Sequence, residues 1–319
     1  MEEFELIKNY FQKLTKNSVG SLKLNDDVFF YKKKNLIVSV DTYNEGVHFL
    51  NFKYPQLVIK KILRSSISDL ISKGVTPKFY FISAAGNKKS FTKKNLILIS
   101  KSLSQEQKKY NIVLAGGDTT YSKKITFSIT VLGFSKNIIK RNNAKINDDI
   151  YVTGNIGDSF LGLKVIKNQI KLKKNLRKYF IKKYYCPDIP YNFHKFIKKY
   201  INTSIDISDG LIDDMKKLIN KQDLSFEIYL DKIPTSSYIN SFFKNKNLKK
   251  ENYLFNGDDY QMLFTAKKKF RKYIKNISYK LRQKVSIIGK INNHSKQNVI
   301  FNSNNRRIFA DFKGYIHKF

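Results

Sequence analysis

The chain has 319 residues, 41% of them hydrophobic and 27% charged, a formal net charge of +36 and a single cysteine. This length suits two domains, each able to bury a core, and the lone Cys186, read as a half-buried filler, excludes an intramolecular disulfide and a cysteine-rich metal site. The apolar-rich stretch from Ile125 to Phe134 is too short to span a bilayer and the start MEEFELIKNYF is acidic and amphipathic, so a cytoplasmic protein with no membrane span and no secretory signal is expected.

The first dozen residues, with Phe4, Leu6, Ile7, Tyr10, Phe11 and Leu14 on recurring spacings, predict a helix. Asn25-Asp26-Asp27 is turn chemistry, followed by short strands at Val28–Tyr31 and Leu36–Asp41. Helical period runs from Gln56 to Lys73 and stops at Gly74. Strands are expected at Lys78–Ala84, Ile112–Ala115 and Ile125–Gly133, with a helix over Lys93–Tyr110 between the first two; Gly116 and Gly117 read as a tight strand exit. The polar NNAK and NDD turns between Lys136 and Asp149 mark a boundary, giving domains at 1–140 and 141–319.

The second half restarts with strand Ile150–Thr153 and a Gly-Asn-Ile-Gly turn into a helix. Helices are predicted over Asn175–Tyr185, Asn192–Tyr200 and Asp209–Asn220, and strands over Thr203–Asp206, Ser225–Tyr229, Leu263–Thr265 and Ser286–Ile288. The Lys- and Asn-rich stretch from Ser236 to Asn252 reads as a surface excursion. The class is α/β, with strands and helices interleaved.

The positive charge raises a nucleic-acid reading, because Lys and Arg neutralise phosphates. Only seven of the 61 basic residues are arginine, however, and base readout favours the planar guanidinium. The lysines spread along the whole chain amid Asn, Ile, Phe and Tyr, a composition that A- and T-rich codons explain without a ligand. No specific nucleic-acid partner is expected. A basic RNA-binding protein without catalysis stands as the alternative from a different class.

In so basic a chain the 25 acidic residues are the scarce resource. Several sit at strand ends or beside glycine: Asp26 and Asp27, Asp41, Asp69, Asp118 in AGGDTT, Asp206 and Asp209 in DISDG, Asp258 and Asp259 in NGDDY. Each alone is also turn or cap chemistry. As a set at strand ends of an α/β protein they suit magnesium, which takes oxygen ligands from a few carboxylates and from substrate phosphates. The chain has no GxxxxGK[ST] phosphate loop, no protein-kinase HRD or DFG set and no GxSxG elbow. Four isolated histidines make a zinc site or a hydrolase triad a poor reading.

The motifs SVDTYNEGVHF, SISDLISKG, AGGDTT, VTGNIGDSFLGL, DISDGLIDDM, NGDDYQMLFT and DFKGYIHKF occur in an order that resembles the thiamine-monophosphate kinases, over the whole chain. That family is part of the aminoimidazole ribonucleotide synthetase superfamily. The resemblance implies a two-domain fold of that type, dimerising through the N-terminal sheet, and transfer of a phosphoryl group from ATP to thiamine monophosphate with several magnesium ions. It implies Asp27, Ser39, Asp41, Asp69, Asp118, Asp206 and Asp209 as metal ligands, with Asp118 and Asp206 catalytic. Arg141, Ser208 and Gly117 would contact ATP, and His48, Asp258 and Tyr315 would hold the thiamine substrate. Other superfamily enzymes fit less well: there is no reactive Cys in a glycine-rich N-terminal segment, no terminal Cys, and Gly-Gly-Asp-Thr-Thr rather than Gly-Gly-Glu-Thr. Departures from the family pattern are Asn25, Val28-Phe29-Phe30, Val40 in place of an oxygen-bearing residue, Ile71-Ser72-Lys73 for a small apolar run, Tyr121 for Arg, and Asp258 and Gln261 for Glu.

Overall fold

The computed structural model describes residues 2–246, 250–293, 297–302, 304 and 306–309. The N-terminal stretch is a series of short turns rather than one helix: α1 (Glu3–Leu6), a π turn at Ile7–Phe11 and a 3₁₀ turn at Gln12–Thr15. None of its residues is fully buried, so no packed face sustains a continuous α ladder.

Among the described residues the strands form a five-stranded and a seven-stranded sheet, as the α/β reading expects. The first contains β1 (Phe29–Tyr31), β2 (Leu36–Asn44), β3 (Pro77–Gly86), β4 (Val113–Tyr121) and β5 (Thr126–Phe134) in the order β1-β2-β5-β3-β4, with β3 and β4 parallel and the other pairs antiparallel. Period-two alternation divides its faces. Ile37, Tyr43, Phe127, Ile129 and Val131 pack beneath α2 (Pro55–Ser72), whose proline sits in the first turn, where its missing N–H costs nothing. α3 (Lys93–Tyr110) starts at Thr92, whose hydroxyl accepts from the Asn95 N–H at 3.2 Å. The opposite face stays open and apolar: Val40, Phe79, Phe81 and Phe134 are each more than a third exposed.

β4 runs through Gly116 and Gly117 to Tyr121 instead of ending there, a correction to the predicted strand exit. The reason is close approach: a Cβ on Gly117 would lie 1.9 Å from the Ile82 carbonyl oxygen of β3.

The second half comprises β6 (Asp149–Thr153), α4 (Asp158–Ile166), α5 (Lys174–Tyr185), α6 (His194–Ile197), β7 (Thr203–Asp206), α7 (Leu211–Ile219) and β8 (Leu224–Tyr229). It continues with α8 (Ser237–Lys246), α9 (Glu251–Leu254), β9 (Met262–Ala266), α10 (Arg271–Lys280), β10 (Val285–Asn293), β11 (Val299–Phe301) and β12 (Arg307–Phe309). The sheet order is β12-β11-β8-β10-β6-β9-β7. The Lys- and Asn-rich stretch is helical where described, and Ile239 and Phe242 of α8 enter the core, so it is no surface excursion. α5 crosses to the first half, where Tyr184, Tyr185 and Cys186 join the core under α2. The C-terminal turn of α2 meets β7, placing Asp69 beside Asp206. No helix among the described residues is long and apolar enough to cross a membrane.

Candidate active site

A cleft of about 580 Å³ opens over that junction. Ser39 and Asp41 project into it from the covered face of β2, two residues apart as the pleat requires. Asp69 comes from the last turn of α2, Asp206 from the end of β7, and Asp26 and Asp27 from the turn before β1. Carboxylate oxygens of Asp27, Asp69 and Asp206 lie within 4.8 Å of one another.

Hydroxyls orient this group. Ser39 Oγ donates to Asp69 Oδ2, Ser68 Oγ donates to Asp206 Oδ2 at 2.6 Å, and the Tyr43 hydroxyl donates to Asp41 Oδ2 at 3.1 Å. The crowding shows in the acidities. Burial, then the charges of Asp41 and Asp206, push Asp69 well above the usual carboxylate range. Burial raises Asp41 and lifts Asp206 to about 6, with the Ser68 hydrogen bond acting the other way. Three close carboxylate oxygens, two on part-buried acids and one on the buried Asp206, fit a hard divalent ion such as magnesium.

Cations of the chain itself meet the acids on one side, Arg141 from the wall of the cleft and Lys73 from behind it. Arg141 caps Asp27 Oδ1 through Nη2, and its backbone N–H donates to Asp26 Oδ2 at 3.0 Å. Lys73 pairs with Asp26 at 2.8 Å and with Asp27 at 2.5 Å. Asp209 stands outside the three-acid group, paired with Lys217. Its carboxyl rises to about 6, through burial and then through Asp214. Asp214 accepts the backbone N–H groups of Ser208, Asp209 and Gly210 at 3.0–3.1 Å, so it shapes the DISDG loop, and Lys217 Nζ closes its other oxygen at 3.0 Å. The Ser208 N–H is therefore occupied, while the residue still lines the cleft.

At the other end, Asp258 adopts a left-handed backbone (φ +69°) and donates its N–H to the Ser208 carbonyl at 2.8 Å. Its Oδ1 pairs with Lys61 Nζ at 2.9 Å, and that buried ammonium lies 3.5 Å from the Tyr184 ring centroid. Burial lowers the Lys61 pKa, and Asp258 opposes the shift. His48 lines the same end, its Nδ1 accepting the Asn44 N–H at 3.0 Å. Gln261 is spent inside the fold, where Oε1 accepts from Thr153 Oγ1 at 2.8 Å and Nε2 donates to the Asp188 carbonyl at 2.5 Å. Its missing carboxylate is no loss to the cleft.

Asp27, Ser39, Asp41, Asp69, Asp206, Asp209, Arg141, Ser208, His48 and Asp258 thus surround one cleft. Gly117 and Asp118 do not join it within this chain. Along the sheet, Asp41 pairs with Ile129, Ile129 with Ile82 and Ile82 with Gly117, three strand spacings or roughly 14 Å. Asp118 is exposed on the edge strand, where Oδ1 accepts the Thr119 N–H at 2.8 Å. Tyr315 lies outside the described residues. Lys61, Asp214 and Lys217 escape sequence reasoning, and Lys73 shows there only as a departure from a small apolar run. Asp214 did carry a signal, since helical spacing from Leu211 to Leu218 puts this acid on the apolar side of α7, where it is fully buried.

Comparison with known proteins places this cleft in a lineage. The N-terminal domain model of AIR synthase related proteins matches residues 25–135, the span that carries Asp27, Asp41, Asp69 and Asp118. The thiamine-monophosphate kinase of Buchnera aphidicola from Acyrthosiphon pisum is 35% identical, over 99% of this chain and 98% of that protein. The enzyme of the same name from Haemophilus influenzae is 32% identical, over 92% and 90%. A solved structure, AaThiL complexed with AMPPCP and TMP, superposes with a TM-score of 0.84 at 27% identity, covering 99% of this chain and 97% of that one. Likeness of this extent, carried by the same halves that enclose the acidic cleft, makes the chain a member of the thiamine-monophosphate kinase family.

Proposed function

We propose that the chain transfers the γ-phosphoryl group of ATP to thiamine monophosphate, giving ADP and thiamine diphosphate. The bond from Pγ to the β–γ bridging oxygen breaks as an oxygen of the acceptor phosphate bonds to Pγ, in line and without a phosphoenzyme. A phosphate monoester has a second pKa near ~6, so the attacking oxygen is already ionised at neutral pH and no general base is required. This suits a cleft whose centre is carboxylate rather than imidazole. The task left to the protein is to hold two polyanions together.

The observation that carries the reading is the trio of carboxylate oxygens from the part-buried Asp27 and Asp69 and the buried Asp206, within 4.8 Å of one another. These residues, with Asp41 and Ser39 beside them, would hold magnesium. Bound there, magnesium would supply charge neutralisation and alignment of phosphate oxygens. Ser39 and Ser68 fix the rotamers of Asp69 and Asp206. Arg141 offers guanidinium donors from the wall of the cleft, and Ser208 lies close by for the nucleotide. His48 and Asp258, the latter locked by Lys61, form the end assigned to the thiamine moiety.

The same proposal includes a cytoplasmic homodimer and a division of labour at 140/141 between the metal-binding, dimerising unit and the C-terminal unit. Support for the dimer comes from the apolar open face of the first sheet, where Phe79, Phe81 and Phe134 are exposed together. Asp118 sits at the rim of that face, so a part in turnover requires a second copy or a movement of β4. The test is Asp69→Asn. Thiamine diphosphate formation should fall about a thousandfold with circular dichroism unchanged; near-wild-type turnover would remove the acid cluster from the reaction.

A further inference from the structure

Lysine heads normally reach water, but the side chain of Lys73 is 0% exposed. All three of its N–H donors have an acceptor inside the fold: Asp26 Oδ1 at 2.8 Å, Asp27 Oδ2 at 2.5 Å and the Ser204 carbonyl at 2.9 Å. The backbone is held equally firmly, since its N–H donates to the Asp69 and Leu70 carbonyls and its own carbonyl accepts the Ile139 N–H at 3.0 Å. The other oxygen of Asp27 is taken by Arg141. Asp27 therefore has a cation of the chain on each oxygen, whereas Asp69 and Asp206 are met by the hydroxyls of Ser39 and Ser68.

A hydroxyl gives way to a metal ion by rotating, and its oxygen can turn into a ligand. A buried ammonium has no such freedom. It would remain as a like-charged neighbour to any divalent ion sharing its carboxylate. The two kinds of partner thus divide the acid cluster into an occupied part and an available part.

We propose that Lys73 is a resident cation that neutralises the Asp26–Asp27 pair in the nucleotide-free protein and confines divalent-ion binding in that state to the Asp69–Asp206 side of the cleft, so that Asp27 takes a metal ion only when the nucleotide brings one. This rests on the reading of the cluster as a magnesium site. Lys73 acts here as a positioning residue, setting where and how many diffusible ions the cleft takes.

The test is Mn²⁺ binding to the full-length protein without nucleotide, followed by the electron paramagnetic resonance signal of the free ion, in wild type, Lys73→Met and Lys73→Arg. Lys73→Met should bind one more Mn²⁺ per chain or bind it at least tenfold more tightly than wild type, and Lys73→Arg should match wild type. A lysine with a merely structural role would leave binding unchanged or weaken it on removal. Equal or weaker binding by Lys73→Met, with wild type binding Mn²⁺, overturns the resident-cation role alone. Absence of Mn²⁺ binding in every protein overturns the metal-site reading and this inference with it. Should Lys73→Met fail to fold, Lys73→Gln, which retains a donor for the Ser204 carbonyl, carries the same expectation.

Discussion

The two faces of the five-stranded sheet are built from the same strands, yet they do opposite things. On the covered face, Ser39 and Asp41 meet Asp69 of α2, and each carboxylate is part-buried and held by a hydroxyl. On the open face, one residue out of phase, Val40 is 63% exposed and lies in register with Thr130 and Phe81. The pleat therefore separates part-buried charge from exposed apolar surface with no extra element. Val40 takes the place of an oxygen-bearing residue on the side that does not face Asp69, so the covered face keeps its Ser39 and Asp41 oxygens.

The division can be broken from either side. The largest effect is expected from Phe81→Asp, which puts a charge in the middle of the apolar face. Sedimentation should show the dimer dissociating at concentrations where wild type stays associated, a rise of about a hundredfold or more in the dissociation constant. A dimer that survives this change would move the contact elsewhere. Next is Asp118→Asn on the rim. Turnover should drop by about tenfold or more, while the melting temperature stays within about 2 °C, because exposed substitutions away from packing change stability little. Wild-type turnover would leave Asp118 without a role in catalysis.

The smallest effect concerns pH and sharpens the contrast. Burial raises Asp206 to about 6, so the folded state holds its proton more tightly than the unfolded chain does. The resulting stability is fully present below the ordinary carboxylate value and is lost as pH rises through about 6, to the extent of roughly 3 kcal/mol. In chelator-treated protein the denaturation midpoint should fall over that window. Asp206→Asn should flatten the fall and Asp118→Asn should leave it intact. An unchanged slope in Asp206→Asn would mean that this acid is not the one titrating.

Legibility followed the range of the forces involved. α3 and β7 are predicted to the residue, since an amphipathic period and a Thr92 cap define the first and the β-branched alternation Ile201, Thr203, Ile205 ahead of Asp206 the second. β4 was cut short because its glycines signal a turn locally, while their use, the close approach of β3, is tertiary. Ile239 and Phe242 were hidden in a stretch whose Lys and Asn content reads as surface. In the cleft, the aspartates stood out as scarce acids at strand ends. Lys61 did not, because one lysine among 61 basic residues carries no mark until the fold brings it to Asp258, and Lys73, a departure from a small apolar run, gives no sign in the sequence that it pairs with Asp26 and Asp27.

The central claim is that the covered-face cleft joins a phosphoryl group from ATP to a phosphorylated acceptor. Phosphorus NMR of the protein with ATP, magnesium and thiamine monophosphate tests it in one spectrum. The monoester resonance should be replaced by the paired resonances of thiamine diphosphate, one for one with the ADP formed. ADP accompanied only by inorganic phosphate, with thiamine monophosphate unchanged, would contradict it.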